Sequence, residues 1–156
     1  MKINNKNYKT IWFNEKDASV GIIDQTKLPH SLEIISLKSL SDVIRAIKIM
    51  QVRGAPLIGG ASAYGIFLAM KDNPSDDNLV LSSKKLIESR PTAVNLKSSV
   101  DRMNHKLKNI TPKERFEASL QLAKTICSED EECCKLIGLH GKKIIEKHIQ
   151  DNNLDT

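Results

Sequence analysis

Arg53 stands at the mouth of Val52–Gly65, Val-Arg-Gly-Ala-Pro-Leu-Ile-Gly-Gly-Ala-Ser-Ala-Tyr-Gly, and no further charged residue occurs until Lys71. A second arginine, Arg90, opens the stretch Ser-Arg-Pro-Thr-Ala-Val-Asn-Leu at 89 to 96. Neither arginine has a carboxylate three or four positions away, whereas Arg45 has Asp42 three residues back. An unpaired guanidinium is a planar fork of donors, suited to bidentate capture of a phosphate or carboxylate.

Both arginines should precede helices. Pro56 has a fixed φ and no amide hydrogen, so it fits the first position of a helix, where that hydrogen would have no partner anyway, and a helix is expected to start there. The opening turn then leaves the amides of Leu57 and Ile58 without intrahelical acceptors, at the positive end of the helix dipole. Gly54 lets backbone approach a ligand closely. Pro91 drives Arg90 out of helical geometry, and Thr92 can cap a following helix on which Ala93, Leu96, Val100, Met103 and Leu107 share a face.

Two readings of the first stretch stand. One is an anion cradle, and the other is a core helix that happens to begin with a loop arginine. Gly59, Gly60 and Gly65 bear on both, since each glycine inside a helix costs roughly 1 kcal/mol relative to alanine. Close packing of a neighbouring backbone would explain them, and so would room for a ligand.

The rest of the chain supplies a frame. Tyr8–Phe13, Ser19–Asp24 and Leu32–Leu37 are rich in β-branched and aromatic residues and predict a small antiparallel sheet. Ser39 and Asp42 have capping-box spacing, before a helix that places Leu40, Val43, Ile44, Ile47 and Met50 on one side. A helix is expected from about Asp76 to Ser89, with Leu79, Val80, Leu86 and Ile87 facing inward. Thr111-Pro-Lys-Glu114 is a second capping box, opening a helix that turns Phe116, Leu120, Ala123, Ile126 and Cys127 inward. The acidic run from Ser128 to Glu132 bends that helix or starts another, and a last helix carries Leu136, Ile137, Ile144 and Ile145. The expected fold class is α+β: residues 1–37 form an N-terminal β subdomain and residues 38–156 a helical subdomain.

Composition narrows the function classes. At 156 residues, 40% hydrophobic and 28% charged, the chain suits one soluble domain or two small subdomains sharing a core. No charged leader with a short apolar core opens the sequence, and no apolar run spans a bilayer comfortably, so a cytoplasmic protein without a membrane partner is expected. The net charge of +5 comes mostly from scattered lysines, and one tryptophan, two tyrosines and three phenylalanines make no stacking surface. Nucleic acid is therefore not expected as a partner. Cys127, Cys133 and Cys134 lack zinc spacing, and no acid or thiol completes a metal pattern around His140 and His148. No metal and no cofactor are expected.

The stretches 52–65 and 89–96, with Ile-Asp-Gln-Thr-Lys-Leu-Pro at 23–29, resemble the N-terminal part of the methylthioribose-1-phosphate isomerase family. That family is related to the regulatory subunits of the eukaryotic translation-initiation guanine-nucleotide exchange factor. The resemblance extends through Arg102-Met103 and Ile137-Gly-Leu-His-Gly141. It implies a sugar 1-phosphate substrate contacted by Arg53, Gly54, Ala55 and Arg90, a homodimer, and cofactor-free conversion of an aldose 1-phosphate to a ketose 1-phosphate. Gly60 and Ser62 stand where larger or more apolar residues are usual, and Lys97 where an aromatic is common.

In the family a catalytic cysteine lies on the first strand after the helical region, and a catalytic aspartate lies further on in a Rossmann-like domain. The sequence stops at Leu154-Asp155-Thr156, before that strand, and its three cysteines do not match the family cysteine. The resemblance thus implies a substrate-phosphate wall, no catalytic residue among these 156, and no activity from the chain alone. Two alternatives stay open: a regulatory or subunit-binding module of the exchange-factor type, and a ribose 1,5-bisphosphate isomerase.

Overall fold

A computed structural model describes residues 2–3 and 6–151. A short antiparallel pair, β1 (Lys2–Ile3) and β2 (Lys6–Asn7), precedes a three-stranded antiparallel sheet of β3 (Ile11–Asn14), β4 (Ser19–Ile23) and β5 (Ile34–Leu37). The sheet is the expected one with shorter strands, since Tyr8–Thr10 and Leu32–Glu33 lie outside it. β4 is central and buried throughout, and Trp12 pairs with Gly21 so closely that a Cβ on Gly21 would lie 2.3 Å from the indole. After β4 the buried Asp24 carboxylate accepts hydrogen bonds from the Thr26 amide (2.9 Å), the Thr26 hydroxyl (2.6 Å) and the Gln51 side chain (2.8 Å). Those bonds pin the 24–29 turn, which contains a cis Leu28–Pro29 peptide, to the end of the first helix.

Five α-helices follow: α1 (Leu40–Lys48), α2 (Ala55–Asp72), α3 (Asp76–Ser89), α4 (Val94–Leu107) and α5 (Arg115–Asp151). The Ser39–Asp42 box forms: the Ser39 hydroxyl accepts from the Asp42 amide at 3.2 Å and the Asp42 carboxylate accepts from the Ser39 amide at 2.9 Å. α1 nevertheless ends before Met50, which takes φ 63° and is largely exposed rather than joining the apolar face. α3 has the expected limits, but Val80 faces solvent at 69% exposure, and Ser82 and Ser83 are buried in its stead. Small hydroxyls fit there because Ser83 bonds the Leu79 carbonyl and the Asn104 side chain.

α2 is the axis of the bundle. Every residue from Ile58 to Met70 is buried, because α1, α3, α4 and α5 all pack around it. The three glycines are sites of close approach: a Cβ on Gly59 would meet Ser99 of α4 at 2.8 Å, one on Gly60 would meet the Cys127 sulfur of α5 at 2.8 Å, and one on Gly65 would meet Leu86 and Val43 at 3.2 Å. Packing therefore accounts for Gly60, and Ser62 is satisfied by the Gly59 carbonyl at 2.7 Å.

The contacts also set direction. Gly60 lies against Cys127, and Phe67 stacks on Phe116 with ring centroids 5.4 Å apart, so α5 runs antiparallel to α2. Arg102 bonds Glu129 and Leu107 bonds Arg115, so α5 is antiparallel to α4 as well. α2 and α4 consequently run parallel, and their N-termini lie at the same end of the bundle.

Three expectations for the last third are corrected. Thr111-Pro-Lys-Glu114 forms a 3-10 turn over Pro112–Glu114 in which the Thr111 hydroxyl bonds the Glu114 carboxylate at 2.7 Å and caps no backbone amide. α5 then continues as one helix through the acidic run, where Glu129, Glu131 and Glu132 are each engaged by a cation, Arg102, Lys9 and Lys135. Phe116, expected inside, touches Phe67 but keeps 39% of its surface exposed.

Candidate functional site

The parallel alignment of α2 and α4 brings the two sequence stretches together. Gly54, Ala55 and Ile58 from the start of α2 and Arg90, Thr92, Ala93, Val94 and Asn95 from the start of α4 line one cavity of about 390 Å³. Three of the four expected site residues, Gly54, Ala55 and Arg90, are on its wall. Arg53 is the residue before Gly54; its side chain is exposed and is not part of the wall. Neither the Arg53 nor the Arg90 guanidinium has a hydrogen-bond or ion-pair partner among the described residues.

The helix starts themselves are open. Gly54 is the N-cap of α2 at φ 90°, a conformation natural to glycine, and it supplies no side-chain cap. Ala93 is the N-cap of α4 and likewise supplies none. This corrects the expectation that Thr92 caps α4: the Ala93 amide bonds the Arg90 carbonyl at 3.0 Å, and that turn delays the helix by one residue and leaves the threonine outside it. The first turns of two neighbouring helices therefore line one cavity, each at the positive end of a helix dipole; the Ile58 amide, expected to lack an intrahelical acceptor, instead donates to the Gly54 carbonyl at 3.0 Å.

The cavity wall contains no carboxylate, imidazole, thiol or amine. Such a surface can hold an anion through amides and a guanidinium, but it offers no general base. A larger cavity of about 540 Å³ lies on the other side of Pro56, between residues 7–11 and α5, and differs in character. Lys9 and Glu131 join there at 2.8 Å, and burial, with Glu131 and Asp130 nearby, pushes the Cys127 thiol up to about 11. That thiol is protonated near neutrality and is no nucleophile. Cys133 and Cys134 are exposed on α5, away from either wall. Among the described residues no group of His, Cys, Asp and Glu could hold a metal, and no helix is long and apolar enough to cross a membrane.

The wall residues that sequence reasoning did not assign to the site are Thr92, Ala93, Val94 and Asn95, and Ile58 was singled out only for its amide. They sit inside the two motifs, but only the side-by-side placement of α2 and α4 makes them wall.

Comparison with known proteins bears on the same region. Residues 51–152 match the Initiation factor 2 subunit family. The chain belongs to that family. It is 47% identical over 146 residues to a methylthioribose-1-phosphate isomerase of Methylocella silvestris and 45% identical over 150 residues to one of Escherichia coli O45:K1. These alignments cover 94% and 96% of this chain but 40% of each relative, so the chain spans about two-fifths of the length of the curated relatives it matches.

Among solved structures, the translation initiation factor eIF-2B subunit delta from A. fulgidus superposes with a TM-score of 0.73 at 34% identity, over 81% of this chain and 38% of that one. The 5-methylthioribose 1-phosphate isomerase from Pyrococcus horikoshii OT3 gives 0.73 at 29% identity, over 80% and 37%. The α+β architecture, a small antiparallel sheet followed by helices, is thus one shared with proteins of this family.

Proposed function

We propose that the α2/α4 cavity binds the phosphate of a sugar 1-phosphate, and that this chain is the substrate-phosphate wall of an isomerase that converts 5-methylthioribose 1-phosphate to 5-methylthioribulose 1-phosphate in methionine salvage. One observation carries the reading: two adjacent helix N-termini without side-chain caps open onto the same cavity beside an unpaired arginine. The names of the relatives supply the substrate.

The chemistry explains why a firm phosphate grip matters. An anomeric phosphate prevents simple ring opening, so the sugar must be held while a proton or hydride moves between its first two carbons. Arg90, the amides following Gly54 and Ala93, and Arg53 from the rim would fix the phosphate. The acid and base come from groups outside this wall, which has none. On this reading the chain alone turns over no substrate, and the protein works in the cytoplasm as a homodimer with no nucleic-acid partner.

The test is calorimetry with 5-methylthioribose 1-phosphate and, separately, inorganic phosphate. Arg90→Ala and Arg53→Ala should each weaken both, and unchanged affinity in both variants would overturn the clamp. A second reading, a subunit-binding module, is favoured by the equally close superposition on the A. fulgidus factor. It predicts no measurable affinity for either ligand.

A further inference from the structure

β3 is an edge of its sheet, and the register decides which of its backbone groups are spent. The Ile23 amide donates to the Thr10 carbonyl at 3.2 Å, so the alternation of an antiparallel ladder makes Thr10, Trp12 and Asn14 the residues that exchange hydrogen bonds with the central strand. The amides and carbonyls of Ile11 and Phe13 therefore point away from β4, and they have no partner among the described residues. On an open edge water takes such groups. Ile11, however, is only 8% exposed, and a buried backbone amide is almost always paired.

Beyond that edge lies a cavity of about 440 Å³, between β3 and the first half of α5. Two contacts bridge strand and helix across it: Lys9 pairs with Glu131 at 2.8 Å, and the Lys124 ammonium lies 5.0 Å from the centre of the Phe13 ring. From 124 to 131 the helix rises roughly 10 Å, so the bay between the two bridges has room for about three extended residues. Tyr64 of α2, 3% exposed, also lines the bay. Its hydroxyl has no hydrogen-bond partner, whereas every fully buried polar side-chain atom among the described residues has one; the little surface that the tyrosine keeps therefore includes the hydroxyl. Burial pushes the ionisation of this phenol up, which leaves a neutral donor. The charged residues of the wall are Lys9, Lys124, Glu15 and Glu131, which balance.

We propose that the bay between β3 and α5 binds a short extended peptide of no net charge, which completes the free edge of β3 at Ile11 and offers a polar side chain to the Tyr64 hydroxyl. An extended residue set opposite Ile11 presents one amide hydrogen and one carbonyl, the two groups that Ile11 needs. Its side chain falls on the same face of the sheet as that of Ile11, which packs into the core that contains Tyr64. The balanced wall favours a ligand without net charge, and the two bridges limit its length. This site is separate from the phosphate cavity, with which its wall shares no residue, and it does not depend on the isomerase reading.

The test uses the full 156-residue chain and the blocked peptide acetyl-Val-Asn-Val-amide, followed by calorimetry and by the emission of Trp12, the chain's one tryptophan and part of the same wall. Saturable heat with a matching change in emission is expected. Methylating the backbone nitrogen of the asparagine leaves the protein untouched and removes the donor to the Ile11 carbonyl, and Tyr64→Phe removes only the hydroxyl; each should weaken binding about five- to tenfold. Because that hydroxyl bonds nothing in the chain, Tyr64→Phe should leave the urea midpoint where it was. Lengthening the peptide by two alanines at each end should also weaken it, since the bridges close the bay. No saturable heat, or equal affinity for the methylated peptide and for Tyr64→Phe, would overturn the proposal. So would tighter binding of the long form, because the occupant would then be a strand of a protein. Inorganic phosphate should not displace the peptide, and displacement would show that the two sites are one. A peptide that fails to bind while phosphate still does leaves the clamp standing, so the two readings fail separately.

Discussion

At one end of the helical bundle the guanidinium of Arg115, 2% exposed, donates to the carbonyls of Leu107 and Ile110 at 3.1 Å and Pro74 at 2.8 Å and pairs with Asp76. At that same end Ser75 caps α3, its hydroxyl accepting from the Asn78 amide at 3.3 Å. At the opposite end the Arg53 and Arg90 guanidinium groups have no partner among the described residues, and α2 and α4 begin without a side-chain cap. Where the chain needs only to hold together, donors and acceptors are consumed internally. Where they are left over, on a wall without any carboxylate, the one charged group is a guanidinium, and that asymmetry favours an anion.

The largest expected effect lies at the closed end. Arg115→Met keeps much of the apolar stem but leaves buried carbonyls without donors, which should destabilise the fold by about 3 kcal/mol. Urea denaturation would show it as a lower midpoint, with phosphate affinity per folded molecule unchanged. At the open end the pattern should invert. Arg90→Ala removes a charge-assisted contact worth about 1.5–3 kcal/mol, so phosphate binding should weaken roughly ten- to hundredfold while the urea midpoint stays within about 0.5 kcal/mol of wild type. A large stability loss from Arg90→Ala would mean that both ends are structural.

A third substitution makes one end imitate the other. Ala93 sits at φ −81° and ψ 93°, extended enough for a capping side chain to reach back to the α4 amides. Ala93→Asp should stabilise the fold by about 1 kcal/mol and weaken phosphate binding, since the new carboxylate takes the amides meant for the ligand and repels it. Gain of stability with loss of binding is hard to obtain from a merely structural helix start.

How much of this was legible in the sequence depended on whether the deciding contacts were local. The Ser39–Asp42 box and the limits of α3 were readable because the groups concerned lie within a turn of one another. Arg90 and Gly54 could be singled out by what their neighbours lacked. Thr92 misled, because the Arg90–Ala93 hydrogen bond that displaces it depends on backbone angles no residue type dictates. Arg115 drew no notice: its acceptor on Pro74 is 41 residues earlier, and nothing beside it in the chain foretells a buried guanidinium. The same limit hid the cavity, since the parallel course of α2 and α4 is set by α5 lying antiparallel to both. The unbroken helix through Glu129–Glu132 was equally a matter of partners, Arg102 and Lys9, brought in from other elements.

The smallest effect expected is a slope in acid. Burial opposes ionisation of Asp42, but the Lys38 and Ser39 amides, the Ser39 hydroxyl and the Arg45 charge outweigh it and hold the carboxyl below its ordinary 3.8. The folded state thus binds fewer protons at this group than the unfolded chain does, and stability must rise with pH across that interval. The contribution is fully present above 3.8 and disappears as the pH falls through the lowered folded value. Asp42→Asn should therefore flatten the stability profile below about pH 4 and leave the slope above pH 5 unchanged, measured as urea midpoints across a pH series. Asp24, held low against its own burial by Thr26 and Gln51, should give a second component in the same window. The open end has no carboxylate in its wall to titrate there, so Arg90→Ala should leave this acid slope as it is in the parent. A slope altered by Arg90→Ala would show that a carboxylate engages that arginine, and the contrast between the two ends would fail.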